Sequence, residues 1–327
     1  MGKKRREGKR PPGPDQKRTP LHYFQYGALL LLYGMVKFTP LSFSRAVGRM
    51  IGRAFHFLDA RHRNIAMKNL DQAFGQTRSE EEKKKIVHGC FLHFGSAIME
   101  TLHLKTVTEK TFHQYAETEN LEHFHEALAM GKGVILCSAH YGNWEVMNLA
   151  LGFLKLPLSA MARPIDNPLV HQFLEDIRTA PGNQVIYKHK SVRKLLSALS
   201  DNRIIGIVND QDVHDRNRIM VEFFGQSAAT TPVPAALSYK TGAPIIPGYA
   251  EPLGGGRYLL KFGDLILPDP EADKNAEIMR MTGLLNRCLE SQINQCPEPW
   301  MWMHQRFKTG EEGRTQYYKQ PRDVQQQ

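Results

Sequence analysis

Apolar and polar positions divide the chain into stretches with different rhythms. After a polar start, LHYFQYGALLLLYGM (21–35) carries no charge, and past Pro40 the run LSFSRAVGRMIGRAFHFLDARHR repeats apolar residues at helical spacing with arginines between them. Ser79 followed by Glu80, Glu81 and Glu82 has the form of a capped, acidic helix start. Beyond it Ile86, Val87, Cys90, Phe91, Phe94, Ile98 and Leu102 recur every three or four residues, which predicts a long amphipathic helix. From Gly133 the pattern changes to short apolar runs of strand length: VILCSA (134–139), LSAMAR (158–163), QVIYK (184–188), IIGIVND (204–210) and PIIPGYA (244–250). The segments after Asn143, Asn167, Ser191 and Pro232 read as helices between them. RYLLKFGDLIL (257–267) predicts a further strand, antiparallel and at an edge, because the three glycines at 254–256 permit a tight reversal, and a last long helix is expected from Glu271 to Gln295.

Strands alternating with helices predict an α/β fold: an open mixed sheet flanked by helices, preceded by a membrane-associated helix. The expected division is a disordered basic tail (1–20), a membrane anchor or pair of interfacial helices (21–58), the main domain (59–310) and a disordered polar tail (311–327).

Charge sharpens the reading of the amino-terminal end. The chain of 327 residues has 43 Lys and Arg against 33 Asp and Glu, a net charge of +10, and its first eighteen residues hold eight basic and two acidic side chains, +6 of that total. The basicity is local, and it runs directly into an apolar segment, which favours anionic lipid headgroups over nucleic acid as its partner. The uncharged run is about fifteen residues, short of the roughly twenty that cross hydrocarbon, so the segment either spans with help from flanking Lys and Arg or lies in the interface. No small-residue cleavage site follows it, so it is expected to stay attached, with the tail on the cytoplasmic side. Cys90, Cys137, Cys288 and Cys296 form no C-x-x-C pair and no metal-like cluster with histidine, which points to a reducing compartment and to no metal site.

The candidate chemistry lies in CSAHYGNWE (137–145). Ligands of open α/β sheets gather beyond the carboxyl ends of strands, and His140 immediately follows the VILCSA run. Gly142 allows a sharp turn and Asn143 suits the N-cap of a helix starting WEVMNLALGFL, whose first turn holds Glu145. Five residues apart on one helix, His140 and Glu145 would be separated by about 140°. Across a strand-turn-helix junction they can meet, giving a histidine base oriented by a carboxylate. No G-x-S-x-G elbow supplies a nucleophile, so the base is expected to activate a hydroxyl brought by the substrate, with backbone N–H groups of the helix start facing the oxyanion.

HYGNWE resembles the His-x4-Asp/Glu block of glycerolipid-type acyltransferases. Together with RHRNIAMKNLDQAFG, MARPIDNP, NDQD, VEFFGQSAATTPVPAALSYKTGAPIIP and WMWMHQRFK, it resembles the bacterial lauroyl/myristoyl acyltransferases of lipid A biosynthesis from about Phe24 to Lys308. The resemblance implies that His140 is the general base and Glu145 the partner holding its imidazole. It implies that Arg163 meets phosphate or another anionic group, and that Asp210, Gln211, Asp212 and Asn143 line the substrate site, Asp210 touching the acceptor or the histidine. Lys188 and Arg216 add positive charge or are simply solvated. Phe223, Phe224 and Gly225 form an acyl-pocket wall or core, His304 and Arg306 a basic closing segment, and Trp300 and Trp302 either reach the lipid interface or pack. Thr230 or Thr231 is expected to cap a helix begun by Pro232. The activity implied is transfer of a fatty acyl chain from an acyl thioester, on acyl carrier protein or coenzyme A, to a hydroxyl of a lipid A precursor, without a further cofactor, at the cytoplasmic face of the bacterial inner membrane. The alternatives are a lysophospholipid, aminolipid or glycolipid acceptor, or a lipid-binding relative without activity.

Overall fold

A computed structural model of the chain describes residues 18–156, 158–187, 191–213 and 218–309. Most of both predicted tails, together with Lys188 and Arg216, lies outside the described residues. In chain order the elements are α1 (Pro20–Phe38), α2 (Leu41–Leu58), α3 (Ala60–Phe74), α4 (Glu80–His103), β1 (Ala116–Glu119), α5 (Glu122–Ala129), β2 (Val134–Ser138) and α6 (Trp144–Phe153). There follow β3 (Leu158–Ala162), α7 (Pro168–Thr179), β4 (Gln184–Tyr187), α8 (Ser191–Ser200), β5 (Ile204–Val208), β6 (Ile219–Phe223), β7 (Gln226–Thr230), α9 (Val233–Thr241), β8 (Ile245–Gly254), β9 (Arg257–Phe262) and α10 (Lys274–Gln295).

Seven strands form one mixed sheet in the order β1-β9-β8-β2-β5-β3-β4. All neighbours pair parallel except β8 and β9. The central parallel strands β2 and β5 are short and apolar because helices cover both of their faces, whereas the edge strand β1 is largely exposed and polar. Val134 and Leu136 of β2 enter one apolar cluster with α6 residues Val146, Leu149 and Ala150, while Ile135 and Cys137 enter a second with Leu195 of α8 and Met281 and Leu285 of α10.

Two expectations need correction. RYLLKFGDLIL is not one edge strand: β9 stops at Phe262, Ile266 makes a separate bridge to Ile245, and β1 pairs outside β9. The run breaks at Gly263 and Asp264, and an antiparallel neighbour on one side does not stop a strand from earlier in the chain pairing parallel on the other. The reversal itself follows the sequence, with Gly254, Gly255 and Gly256 all at positive φ (84°, 65° and 86°). The helix after the threonines is also capped otherwise. Pro232 occupies its N-cap position, Thr230 is buried and accepts from Arg306, and Thr231 Oγ1 accepts from the Val233 N–H at 3.4 Å. A small antiparallel hairpin, β6 with β7, turns through Phe224 and Gly225 and is not apparent from the apolar pattern, because β7 reads QSAAT with no large apolar residue.

The amino-terminal helices pack onto the body. Val36 is fully buried, and Tyr33 of α1 meets Phe173 of α7 edge to face at 5.3 Å. Gly48 and Gly52 of α2 lie against Gly95 and Phe91 of α4, so close that a Cβ on any of the three glycines would overlap facing backbone. Among the described residues no helix is long and apolar enough to cross a membrane. The outer surface of the pair still exposes Phe24, Leu31, Phe38, Phe43, Met50, Phe55 and Phe57.

Because α2 and α4 touch backbone to backbone, Gly95→Leu should force them apart and cost about 3 kcal/mol or more, within or above the usual overpacking range. Chemical denaturation of the two proteins measures it, with Ile98→Ala, at an exposed position of the same helix, expected to stay near wild type.

Candidate active site

The parallel register of β2 and β5 builds the site. Ser138 pairs with Val208, the last residues of their strands, so the residues two further on, His140 and Asp210, leave the sheet side by side. Asp210 Oδ1 lies 2.8 Å from His140 Nδ1, and its Oδ2 accepts the His140 backbone N–H at 2.9 Å. Trp300 donates its indole N–H to the same Oδ2 at 2.8 Å. A carboxylate 4% exposed with three donors is held ionised. Burial alone would raise its pKa, but the charge and hydrogen bonds of His140 and the Trp300 N–H bring it down to about 2. Burial works against the charged imidazole too, yet the Asp210 carboxylate outweighs it and raises His140 above its usual value.

With Nδ1 turned to Asp210, His140 presents Nε2 outward, and its ring meets Trp144 edge-on at 5.0 Å. Gln211 Nε2 stands 3.4 Å from that nitrogen.

The loop carrying His140 is pinned from the other side by the carboxyl-terminal segment. Tyr141 bridges antiparallel to Trp300, the Met301 N–H donates to the His140 carbonyl at 3.0 Å, and the Gly142 N–H donates to the Pro299 carbonyl at 3.0 Å. Gly142 has φ +63°, and a Cβ there would overlap the Ala250 carbonyl oxygen, so only glycine fits.

Glu145 does not hold the imidazole. It sits in the first turn of α6, and its carboxylate receives the Arg178 guanidinium of α7 through two Nε contacts at 3.0 Å and a further one from Nη2. The helix begins at Trp144, so Glu145 is already turned toward α7, while the position beside Nδ1 is filled by a residue seventy places later in the chain. Asp210 accordingly lies behind the histidine and not against an acceptor. Asn143, expected at the substrate, is 3% exposed and spends its Oδ1 capping α6, on the Glu145 N–H at 3.2 Å. Asp212 accepts from the N–H and hydroxyl of Thr309 at 3.1 and 2.7 Å, and its own N–H donates to His304 Nε2 at 3.0 Å. Arg163 is exposed just beyond β3, the other neighbour of β5, and forms no ion pair among the described residues.

Trp300, Trp302 and Arg306 are buried and reach no surface. Arg306 donates to the Ala229 carbonyl at 2.7 Å and the Thr230 hydroxyl at 2.8 Å and lies over the ring of Phe223, itself a core residue. Arg178, Trp144 and Trp300 were missed as site residues. WMWM signalled a packed segment, but nothing local says that an indole N–H will meet a carboxylate ninety residues earlier. Cys137, three residues before His140, is buried, and that burial pushes its thiol well up, which removes it as a nucleophile. Among the described residues no group of three or more His, Cys, Asp or Glu is placed to hold a metal ion.

The profile of the bacterial lipid A biosynthesis acyltransferase family matches residues 14–309. The chain belongs to that family. A lipid A biosynthesis lauroyltransferase of Escherichia coli K12 is 28% identical over 255 residues, covering 77% of this chain and 81% of the relative. A palmitoleoyltransferase of the same strain is 25% identical over 274 residues, 83% and 87% of the two chains. A phosphatidylinositol mannoside acyltransferase of Mycolicibacterium smegmatis is 24% identical over 185 residues, 55% of this chain and 59% of the relative. Family membership makes this chain an acyltransferase acting on a lipid acceptor.

The electrostatics of the pair set a titration. In NMR spectra His140 should lose its proton above 6.5, since the carboxylate stabilises the imidazolium. Asp210→Asn removes that stabilisation and leaves the burial penalty, so the midpoint should move downward; an unmoved midpoint would show that another group holds the charge.

Proposed function

We propose that this acyltransferase moves a fatty acyl chain from an acyl carrier protein or coenzyme A thioester to a hydroxyl of a lipid A precursor, with His140 as general base. The observation that carries the reading is the His140–Asp210 pair, oriented through Nδ1 and leaving Nε2 to face only the Gln211 amide among the described side chains that hydrogen-bond it. Nε2 removes the proton of the acceptor hydroxyl as its oxygen attacks the thioester carbonyl. The tetrahedral oxyanion collapses, the carbon–sulfur bond breaks, and the imidazolium returns its proton to the leaving thiolate. Asp210 stabilises the imidazolium formed between the two steps without taking its proton, as its depressed pKa requires. The start of α6, with its helix dipole, supports the developing oxyanion. Arg163 at the rim suits a phosphate of the acceptor or donor. Glu145 acts through Arg178, keeping a partly buried cation paired at the start of α6. No cofactor beyond the thioester is called for.

The lipid A relatives cover about four fifths of the chain, against just over half for the phosphatidylinositol mannoside enzyme, which supports the lipid A acceptor over a glycolipid of the second kind. Docking at the inner membrane is supported by α2, where exposed Phe43, Met50, Phe55 and Phe57 alternate with exposed Arg49 and Arg53, and by exposed Phe24, Leu31 and Phe38 of α1. This is the composition of a helix lying among headgroups, which leaves the catalytic domain and the basic tail together on the cytoplasmic face.

His140→Ala should lower acyl transfer by about 10³-fold or more with the melting temperature unchanged; retained activity would sink the base assignment. Glu145→Gln should instead lower stability, by about 2 kcal/mol, as Arg178 loses its charged partner. Lipid mass spectrometry of the host with and without the gene should show one acyl chain missing from lipid A. A chain missing from a phospholipid or mannoside would move the acceptor assignment to that lipid.

A further inference from the structure

Four hydrogen bonds converge on one buried amide at the start of α7. Asn167 is 6% exposed and occupies the N-cap of that helix. Its Oδ1 accepts the backbone N–H of Leu169 at 3.0 Å and that of Val170 at 3.4 Å. Its Nδ2 donates to the His22 carbonyl of α1 at 3.0 Å and to Gln25 Oε1 at 2.9 Å. A backbone N–H only donates and a backbone carbonyl only accepts, so the orientation of the amide is determined, and Gln25 has to present its oxygen. Serine, threonine or aspartate would cap the helix as well. What asparagine adds is a donor group, and its Nδ2 is spent entirely on α1.

The segment held in this way carries Arg163. Residues 163–167 join β3 to α7 and are fastened at two points. The Ile165 N–H donates to Nδ1 of buried His171 at 3.4 Å, and Asn167 is tied to both α7 and α1. The tie to α1 falls at its amino end, where Leu21, Tyr23 and Phe24 are exposed next to His22 and Gln25. Farther along the same helix Tyr33 packs on Phe173, so α1 is seated on α7 by one polar and one aromatic contact. A lipid acceptor approaches from the surface that exposed apolar side chains face. The loop bearing Arg163 is therefore joined, through a single side chain, to the helix end on that side.

We infer that Asn167 and Gln25 are positioning residues that set the Arg163 loop against the amino end of α1, where Arg163 takes an anionic group of the lipid acceptor and not of the thioester. The inference rests on the acyltransferase reading and on the anion role of Arg163 proposed above.

The test uses the full chain in detergent micelles, with a dodecanoyl thioester of acyl carrier protein as donor and a phosphorylated lipid A precursor as acceptor. Arg163→Gln should raise KM for the acceptor about tenfold and leave kcat and KM for the thioester within about twofold. Asn167→Ser keeps an oxygen for the cap and removes both donations to α1. It should raise the acceptor KM about fivefold, with the same kcat and thioester KM and a melting temperature near wild type. Gln25→Ala, which removes one of the two acceptors, should act in the same direction and less. The double variant Arg163→Gln with Asn167→Ser should be no worse than Arg163→Gln alone, and on a dephosphorylated acceptor all of these proteins should share one KM. A wild-type acceptor KM in Asn167→Ser would overturn the inference and leave the role of Arg163 standing. So would a loss in that variant that falls on kcat, persists on the dephosphorylated acceptor or adds to that of Arg163→Gln. An Arg163→Gln protein with unchanged acceptor KM, or with a raised thioester KM in its place, would overturn the inference together with the acceptor side of the anion reading. A wild type that leaves this acceptor unacylated would overturn it with the acceptor assignment, and an active His140→Ala would overturn the base assignment separately.

Discussion

A carboxylate buried at the centre of the molecule has to find its donors within the protein, and Asp210 finds three: the His140 imidazole, the His140 backbone N–H and the Trp300 indole. Leaving any of them unmade would cost more than an ordinary hydrogen bond contributes, because nothing else solvates the charge there. That requirement joins three distant parts of the chain, the ends of β2 and β5 and the segment after α10, into one unit. It also aims the histidine, since a ring committed at Nδ1 has one nitrogen left for chemistry.

Around this unit the backbone leaves little freedom. Gly142 turns the chain where no side chain fits, and residues 299–301 lie antiparallel to 140–142 and hold them against the sheet. The carboxyl-terminal segment is therefore part of the site, although it reads as a covering piece. Its tryptophans are buried because they support Asp210 and the core beneath it, and Arg306 is buried because the β6–β7 hairpin supplies oxygens and an aromatic face for it.

The second carboxylate of the His-x4-Glu block has a different task. Paired with Arg178 across α6 and α7, Glu145 fastens the helix whose first turn follows the His140 loop. Two acidic residues near one histidine have thus divided the work, one orienting the imidazole and the other the helix. The same economy holds at the amino-terminal end, where glycines let α2 reach α4 closely enough for Arg45 to meet Glu100.

Much of this was legible in the amino-acid sequence. Apolar periodicity found the helices after Asn143, Asn167 and Ser191 and four of the seven strands of the main sheet to within a residue or two, because covered parallel strands and amphipathic helices must write their burial into local pattern. His140, the turn at Gly142 and the cap at Asn143 were visible for the same reason, being consequences of adjacent residues. What the pattern could not contain was strand order. Only the tertiary structure, by pairing Ser138 with Val208, decided that the residue beside His140 is Asp210 and not Glu145. Contacts between residues seventy or ninety places apart depend on which strands become neighbours and on where the chain end returns, and those are set by the packing of the whole core, to which no single stretch of sequence testifies.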